Sequence, residues 1–216
     1  YRDFILDIDE LKALLSANNT PASPTLVAWP GKSEPTEFSG ESGKYSKYAV
    51  YIDQAPHEIA AIKERRAGIQ DEGSQVLALA FANAAQDNQP WLDLCAGPGG
   101  KAALLSYLSS EPMYANEVSA ARAELVSQVV KDGTIVNVGD GREVRLDVGA
   151  VIADVPCTGL GALRRRPEVR WRRSAGDIPN LTKLQYELAA HAIDILPAGG
   201  IFAYATCSPH MAETRA

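Results

Sequence analysis

From residue 68 onward the chain alternates short apolar runs with segments of helical periodicity, and this alternation constrains its fold more than any other feature. A helix is expected over 73–85, then a strand at 91–95, a helix at 99–108, a strand at 113–117 and a helix at 119–130. Strands at 134–138 and 150–155, a helix at 181–196 and a strand at 201–206 follow. Strands separated by helices form βαβ units, which assemble into a parallel sheet with helices on both faces. The expected fold class is therefore α/β with a Rossmann-like, doubly wound sheet. The earlier part reads differently, with a helix near 8–17, a strand near 25–29, a loop rich in Gly, Ser, Glu and Pro, a strand near 45–52 and a short helix at 56–65. This divides the chain into a small α+β module at 1–67 and a sheet domain at 68–216.

Composition sets outer limits. A chain of 216 residues with 46% hydrophobic content supports one good core. Its longest apolar stretches, such as 76–85, are too short and interrupted to span a bilayer, and Tyr1-Arg2-Asp3 does not begin a signal peptide. Three cysteines, an odd number, with no export signal point to a reducing cytoplasm. His57, His191 and His210 show no metal-ligand spacing, so no metal is expected. A formal charge of −6 argues against nucleic acid as a partner. Net charge hides distribution, however: Arg164, Arg165, Arg166, Arg170, Arg172 and Arg173 crowd around Trp171 and make one surface strongly basic.

Where the first strand of the series gives way to a helix stands Asp93-Leu94-Cys95-Ala96-Gly97-Pro98-Gly99-Gly100-Lys101. A P-loop would need Gly at position 95 and Ser or Thr at 102, where this chain has Cys95 and Ala102. A dinucleotide fingerprint is nominally met by Gly97, Gly99 and Ala102, with Glu117 placed to hold a ribose. Pro98 and Lys101 suit a pyrophosphate less well than a smaller ligand that passes the loop once. S-adenosylmethionine answers that description: the loop backbone approaches it closely, Glu117 accepts from both ribose hydroxyls, and an acid holds the ammonium. Asp140, in Gly139-Asp140-Gly141-Arg142, is placed to accept from an adenine amino group or else serves as a turn aspartate.

Cys157 and Cys207 each stand just past a short apolar run, in Asp154-Val155-Pro156-Cys157-Thr158-Gly159 and Tyr204-Ala205-Thr206-Cys207-Ser208-Pro209. Taken singly, each is a small buried hydrophobe. Together with Cys95 they lie at the carboxyl ends of expected strands, where open α/β sheets keep their sites.

At these residues a family emerges. Asp154-Val155-Pro156-Cys157-Thr158-Gly159-Leu160-Gly161 followed by Arg164, Arg165 and Pro167, with Ala205-Thr206-Cys207-Ser208, Cys95 to Lys101 and Gln70-Asp71-Glu72-Gly73-Ser74-Gln75, resembles the Sun (Fmu, RsmB-like) family of RNA cytosine-5 methyltransferases. The resemblance covers nearly the whole chain, with the motifs in the family's order and spacing. It implies methylation of a cytidine in rRNA with S-adenosylmethionine as cofactor, small-subunit rRNA being the nearest match, by a monomer.

Such chemistry explains the residue types. Carbon 5 of cytosine is a poor nucleophile until a thiolate adds to carbon 6. Addition is easier if nitrogen 3 receives a proton, a role for Asp154. The resemblance makes Cys207 the nucleophile and Cys157 the residue that assists release, although a Pro-Cys cysteine can equally attack. It places the cofactor on Cys95, Ala96, Gly97, Pro98, Gly99, Gly100, Lys101, Glu117, Asp140 and Asp154. RNA backbone falls to Arg164, Arg165, Arg166, Arg170, Trp171, Arg172 and Arg173. The family usually has Ala at position 97, often Ser at 158 and more commonly Asp at 117, where this chain has Gly97, Thr158 and Glu117. Relatives carry a helical RNA-binding domain before this region and two further strands after it, so a catalytic-domain fragment is expected. Two other readings stay open: a cofactor- and RNA-binding fragment without turnover, and an NAD-dependent oxidoreductase.

Overall fold

The computed structural model describes residues 7–215. In chain order its elements are α1 (Ile8–Ala17), β1 (Thr25–Ala28), β2 (Glu41–Ser42), β3 (Ala49–Tyr51), α2 (Ala60–Lys63), β4 (Ala67–Ile69), α3 (Glu72–Ala84) and β5 (Trp91–Asp93). There follow α4 (Gly100–Leu108), β6 (Tyr114–Glu117), α5 (Ala120–Ser127), β7 (Ile135–Val138), β8 (Ala150–Asp154), α6 (Val169–Arg172), α7 (Ile178–Asp194) and β9 (Ile201–Ala205). Chain contacts group them into two compact units. One is Ser23–Asp154 with His191–Ala203; the other holds the described residues up to Ala22, Val155–Ala190 and the residues from Tyr204 onward.

The first unit contains a five-stranded sheet in the order β7-β6-β5-β8-β9, with β5, β6, β7 and β8 parallel. It also contains a four-stranded antiparallel sheet in the order β2-β3-β1-β4. Side chains alternate across a strand, and β1 shows what this achieves. Leu26 and Ala28 enter a core with Val50, Ile52, Ile59, Ala61 and Ala67. Val27 and, just past the strand, Trp29 enter a second core with Phe81, Trp91, Leu104, Leu105 and Ile152, which they share with α3, α4 and the parallel sheet. Trp29 stacks on Tyr107 at 5.3 Å between ring centroids, and Phe81 meets Trp91 edge-on at 5.5 Å. Truncating Trp29 to Ala would cost about 3–5 kcal/mol, since both the transfer energy and the cavity count against the fold.

The Gln70–Gln75 motif has a structural use in this unit. Glu72, buried at the start of α3, accepts from the N–H groups of Tyr45 (2.6 Å) and Ser46 (2.9 Å) and from the Tyr51 hydroxyl. Burial opposes its charge, yet these donors hold its carboxyl below the usual range. Gln75 accepts from Ser46 Oγ at 2.7 Å and donates to the carbonyls of Gln70 and Leu26. The start of α3 is thus tied to the small sheet and its loops. It also shortens the strand expected at 45–52 to Ala49–Tyr51, because Tyr45 and Ser46 spend their N–H groups on Glu72. The helix expected at 56–65 divides into a 3-10 turn, Pro56–Glu58, and the four-residue α2.

In the other unit, α1 begins at Asp7, whose carboxylate accepts from the N–H of Asp9 at 2.7 Å. That capping bond, with Asp9 and Glu10 in the first turn, sets the helix start.

Candidate active site

Four acids close the carboxyl ends of four neighbouring parallel strands. Glu117, Asp93 and Asp154 end β6, β5 and β8, and Asp140 stands two residues past β7. Their environments differ. Asp93 is buried; its Oδ1 accepts from the Cys95 N–H at 3.3 Å and its Oδ2 has no partner. Burial first, then the charge of Asp154, push its carboxyl up to about 7, while Lys101 opposes the shift. Glu117, 3% exposed, accepts from Gly97 N–H and Ser119 N–H, both at 3.0 Å. Arg122 lies 3.6 Å from the same carboxylate and donates to the Gly97 carbonyl. Asp154 forms an ion pair with Lys101 at 2.7 Å, and Lys101 also donates to Ser74 Oγ at 3.2 Å. Lys101 is therefore not a solvated helix-start lysine. Asp140 caps the 3-10 turn Gly141–Glu143 and is gripped by Arg142, whose hydrogen bonds lower its carboxyl to about 2.

The glycine loop runs between β5 and α4 with little room to spare. Gly99 has φ +111°, and a Cβ there would stand 2.7 Å from Val129 Cγ2, so a side chain is excluded on both grounds. Gly97 leaves its space to Glu117 Oε2, 2.3 Å from where a Cβ would sit. Cys95 is not a thiolate: burial, then the charges of Asp93 and Glu117, push its thiol far up.

The other two cysteines meet in the second unit. Their sulfurs are 3.3 Å apart, with Cys207 exposed and Cys157 partly buried. A hydrogen bond from Cys207, helped by Thr206 and the backbone at Gly159 and Cys207, lowers the Cys157 thiol to about 6 against the effect of burial. That shift favours the thiolate form of Cys157. The loops carrying them are locked together: Gly161 N–H donates to the Cys207 carbonyl at 2.8 Å, and a Cβ at Gly161 would stand 2.5 Å from that oxygen.

The arginine segment lies in the same unit and divides by role. Arg164 Nε donates to the Thr20 carbonyl at 3.1 Å and Arg170 to the Asn18 carbonyl at 3.0 Å, so these two fasten the end of α1. Arg166, Arg172 and Arg173 are exposed, as is Trp171 at 80%. Arg165 is exposed as well.

Of the expected site residues, the structure brings the glycine loop, Glu117, Asp140 and Asp154 to the carboxyl edge of the parallel sheet and sets Cys157 beside Cys207. Sequence reasoning missed Asp93 as a participant, although an acid on the last residue of the strand before a glycine loop was a legible signal. It also missed Arg122, Gln185 and Glu213, whose spacing carries no signal because each acts across the fold. Among the described residues no cluster of three or more His, Cys, Asp or Glu could hold a metal ion, and no helix is long and apolar enough to cross a membrane.

The chain is similar to several known proteins. A Mycobacterium tuberculosis H37Rv protein named as a methyltransferase is 44% identical over 220 residues, spanning 96% of this chain and 48% of its own length. The ribosomal RNA small subunit methyltransferase B of Sodalis glossinidius is 34% identical over 156 residues, 68% of this chain and 36% of its own. The chain thus spans about half the length of the mycobacterial relative and about a third of the ribosomal one. The crystal structure of PH0851 superposes with a TM-score of 0.83 over 98% of this chain and 52% of that one, at 24% identity, and shows the same fold. The model of the family described as 16S rRNA methyltransferase RsmB/F matches residues 80–216. With the Rossmann-like sheet, the glycine loop and both cysteine motifs in place, the chain belongs to the RsmB/F methyltransferase family.

Proposed function

We propose that this chain is the catalytic part of an enzyme that methylates carbon 5 of a cytidine in rRNA, small-subunit rRNA in the first instance, through a covalent cysteine adduct. The observation that carries the reading is the pair of sulfurs 3.3 Å apart, in a member of a methyltransferase family. S-adenosylmethionine supplies an electrophilic methyl group on a cationic sulfur. The sheet unit suits such a ligand: the loop at Gly97 and Gly99 has no space for side chains, and the acid row includes a buried oxygen, Asp93 Oδ2, still without a donor. Cys95 to Lys101, Glu117, Asp140 and Asp154 would hold it, with Asp93 added to that set. Asp140 would have to share its carboxylate with Arg142 to reach an adenine.

The protein's own steps follow from the thiol pair. Cys207, the exposed thiol, gives its proton to the Cys157 thiolate and adds to carbon 6 of the base, and the π electrons of the ring's 5–6 bond move toward carbon 5. The Lys101–Asp154 pair is assigned the proton that nitrogen 3 receives as negative charge develops. Cys157 passes its proton to solvent, which its low thiol range favours. After carbon 5 is methylated, Cys157 takes the proton from that carbon, the 5–6 double bond re-forms, Cys207 leaves as thiolate and nitrogen 3 gives its proton back. A base stacked in a duplex is out of reach, so the cytidine must be single-stranded or flipped out. The exposed arginines and Trp171 would meet the RNA backbone and bases.

Incubation with rRNA and labelled S-adenosylmethionine, followed by bisulfite mapping, should reveal one methylated cytidine. Tight cofactor binding with no transfer would favour a binding fragment instead. RNA carrying a mechanism-based cytosine analogue should form an adduct with Cys157→Ala and none with Cys207→Ala. An adduct on Cys207→Ala would reverse the two assignments.

A further inference from the structure

Glu213 is 1% exposed and sits at the end of a 3-10 turn, Met211–Glu213. Its Oε1 accepts from Thr158 N–H at 2.9 Å and Gln185 Nε2 at 3.1 Å. Its Oε2 accepts from Thr158 Oγ1 and Ser208 Oγ, both at 2.5 Å. Thr158 follows Cys157 directly in the chain, and Ser208 follows Cys207. Gln185 reaches further, donating to the carbonyl of Pro156, the residue before Cys157, at 2.8 Å. The Tyr204 hydroxyl donates to the Glu213 main-chain carbonyl at 3.0 Å.

A buried carboxylate has a desolvation penalty of several kcal/mol, and a well-packed apolar residue often serves stability as well or better. Here the charge persists. Burial works against it, but Ser208, Thr158 and Gln185 hold the Glu213 carboxyl below its usual range. Four donors match the four lone-pair sites of the carboxylate. Those donors come from the residues adjoining both cysteines and from the α7 residue that braces one of them. No neutral side chain of that length offers four acceptor sites to four donors.

We infer that Glu213 is a positioning residue: by gripping Thr158 and Ser208 at once, its carboxylate sets the distance between the sulfurs of Cys157 and Cys207 and keeps each within hydrogen-bonding reach of the other. The inference deepens the function proposed above, making Glu213 a requirement of the covalent step. Its test is read on the thiols alone, so that it fails or survives separately from methyl transfer.

The whole chain is alkylated with iodoacetamide across a pH series, and the Cys157 and Cys207 peptides are followed by mass spectrometry. Dibromobimane, which bridges only adjacent thiols, reports their proximity. Tyr204 interacts by charge with Cys157, and His210→Asn, at a titratable residue two places past Ser208, serves as a control. In the unaltered protein Cys157 should titrate near 6. In Glu213→Gln its midpoint should rise by about two pH units toward the ordinary thiol range, and bridging should fall about tenfold as the effective concentration of one thiol at the other is lost. The double change Thr158→Val and Ser208→Ala should act in the same direction, while Thr158→Ser, which keeps the hydroxyl, should titrate as the parent does. If Glu213→Gln fails to fold, the hydroxyl variants alone decide. Variants that melt at lower temperature but keep the parent's midpoint and bridging would overturn the inference, leaving Glu213 a purely structural residue. Shifted thiols with no methyl transfer to any rRNA would uphold it and sink the proposed function.

Discussion

A Cβ built on Gly97 would stand 2.3 Å from Oε2 of Glu117, so the loop residue and the acid ending the neighbouring strand are fitted to each other. The two departures from the family pattern, glycine for alanine and glutamate for aspartate, then amount to one exchange in which a carbon moves from the loop to the acid. Gly97→Ala alone should overpack the site at a cost of about 1–3 kcal/mol and weaken binding of S-adenosylmethionine. Adding Glu117→Asp should recover most of that loss. Calorimetry and melting curves on the four proteins of the cycle measure the coupling, and simple additivity would disprove the fit.

The Lys101–Asp154 pair, with Lys101 mostly covered and Asp154 about a third exposed, should be sensitive to loss of one partner. Lys101→Met is expected to destabilise the fold by about 1–3 kcal/mol, less than for a fully buried pair because water reaches the carboxylate. Urea denaturation supplies the number. Asp154→Asn should also lower stability, because it leaves the more covered Lys101 charge unpaired, and it should reduce methyl transfer as a change in the maximal rate more than in cofactor affinity.

Asp93 makes stability depend on pH. Its folded value of about 7 lies above the ordinary 3.8, so between these values the native state binds more protons than the unfolded chain. Stability from this group is therefore full below the lower value and declines as pH rises through the window. Asp93→Asn keeps the shape and removes the charge, so it should flatten that slope and raise the denaturation midpoint above neutral pH. A variant less stable than the parent on the alkaline side would count against the burial argument.

Among the arginines, contacts predict two phenotypes. Removing Arg166, Arg172 and Arg173 together, or Trp171, should weaken RNA binding and, for the arginines, flatten its salt dependence without lowering the melting temperature. Arg164→Ala and Arg170→Ala should instead loosen the end of α1 at about 1 kcal/mol each. Fluorescence anisotropy at two salt concentrations, paired with melting curves, distinguishes the groups.

The Rossmann-like sheet was legible because short strand-like runs alternate with helical segments, save between β7 and β8 where no helix intervenes, and all five strands lie within two residues of where that pattern puts them. The two strands that went unread, β2 and β4, are two and three residues long, too short to show a period, and β4 carries Gly68 at its centre. In the site, residues next to one another in a motif could be found. Those that act across the fold could not: nothing in the order of the chain says that Glu213 will reach Thr158, or that two arginines of a basic run will be used up on carbonyl oxygens near residue 20.

Under the proposed function, the row of acids along the carboxyl edge of the parallel sheet would also act as a charge filter. With Arg142, Arg122 and Lys101 beside three of these acids, the fourth, Asp93, would take on charge when a cationic sulfur binds and so favour it over a neutral one. For the proposed reaction, the methyl group leaves with the positive charge neutralised on its former carrier, and the attraction that drew the donor in weakens at the moment of transfer. Turnover would then be driven in part by the edge itself, which grips the charged donor and loosens its hold on the spent one.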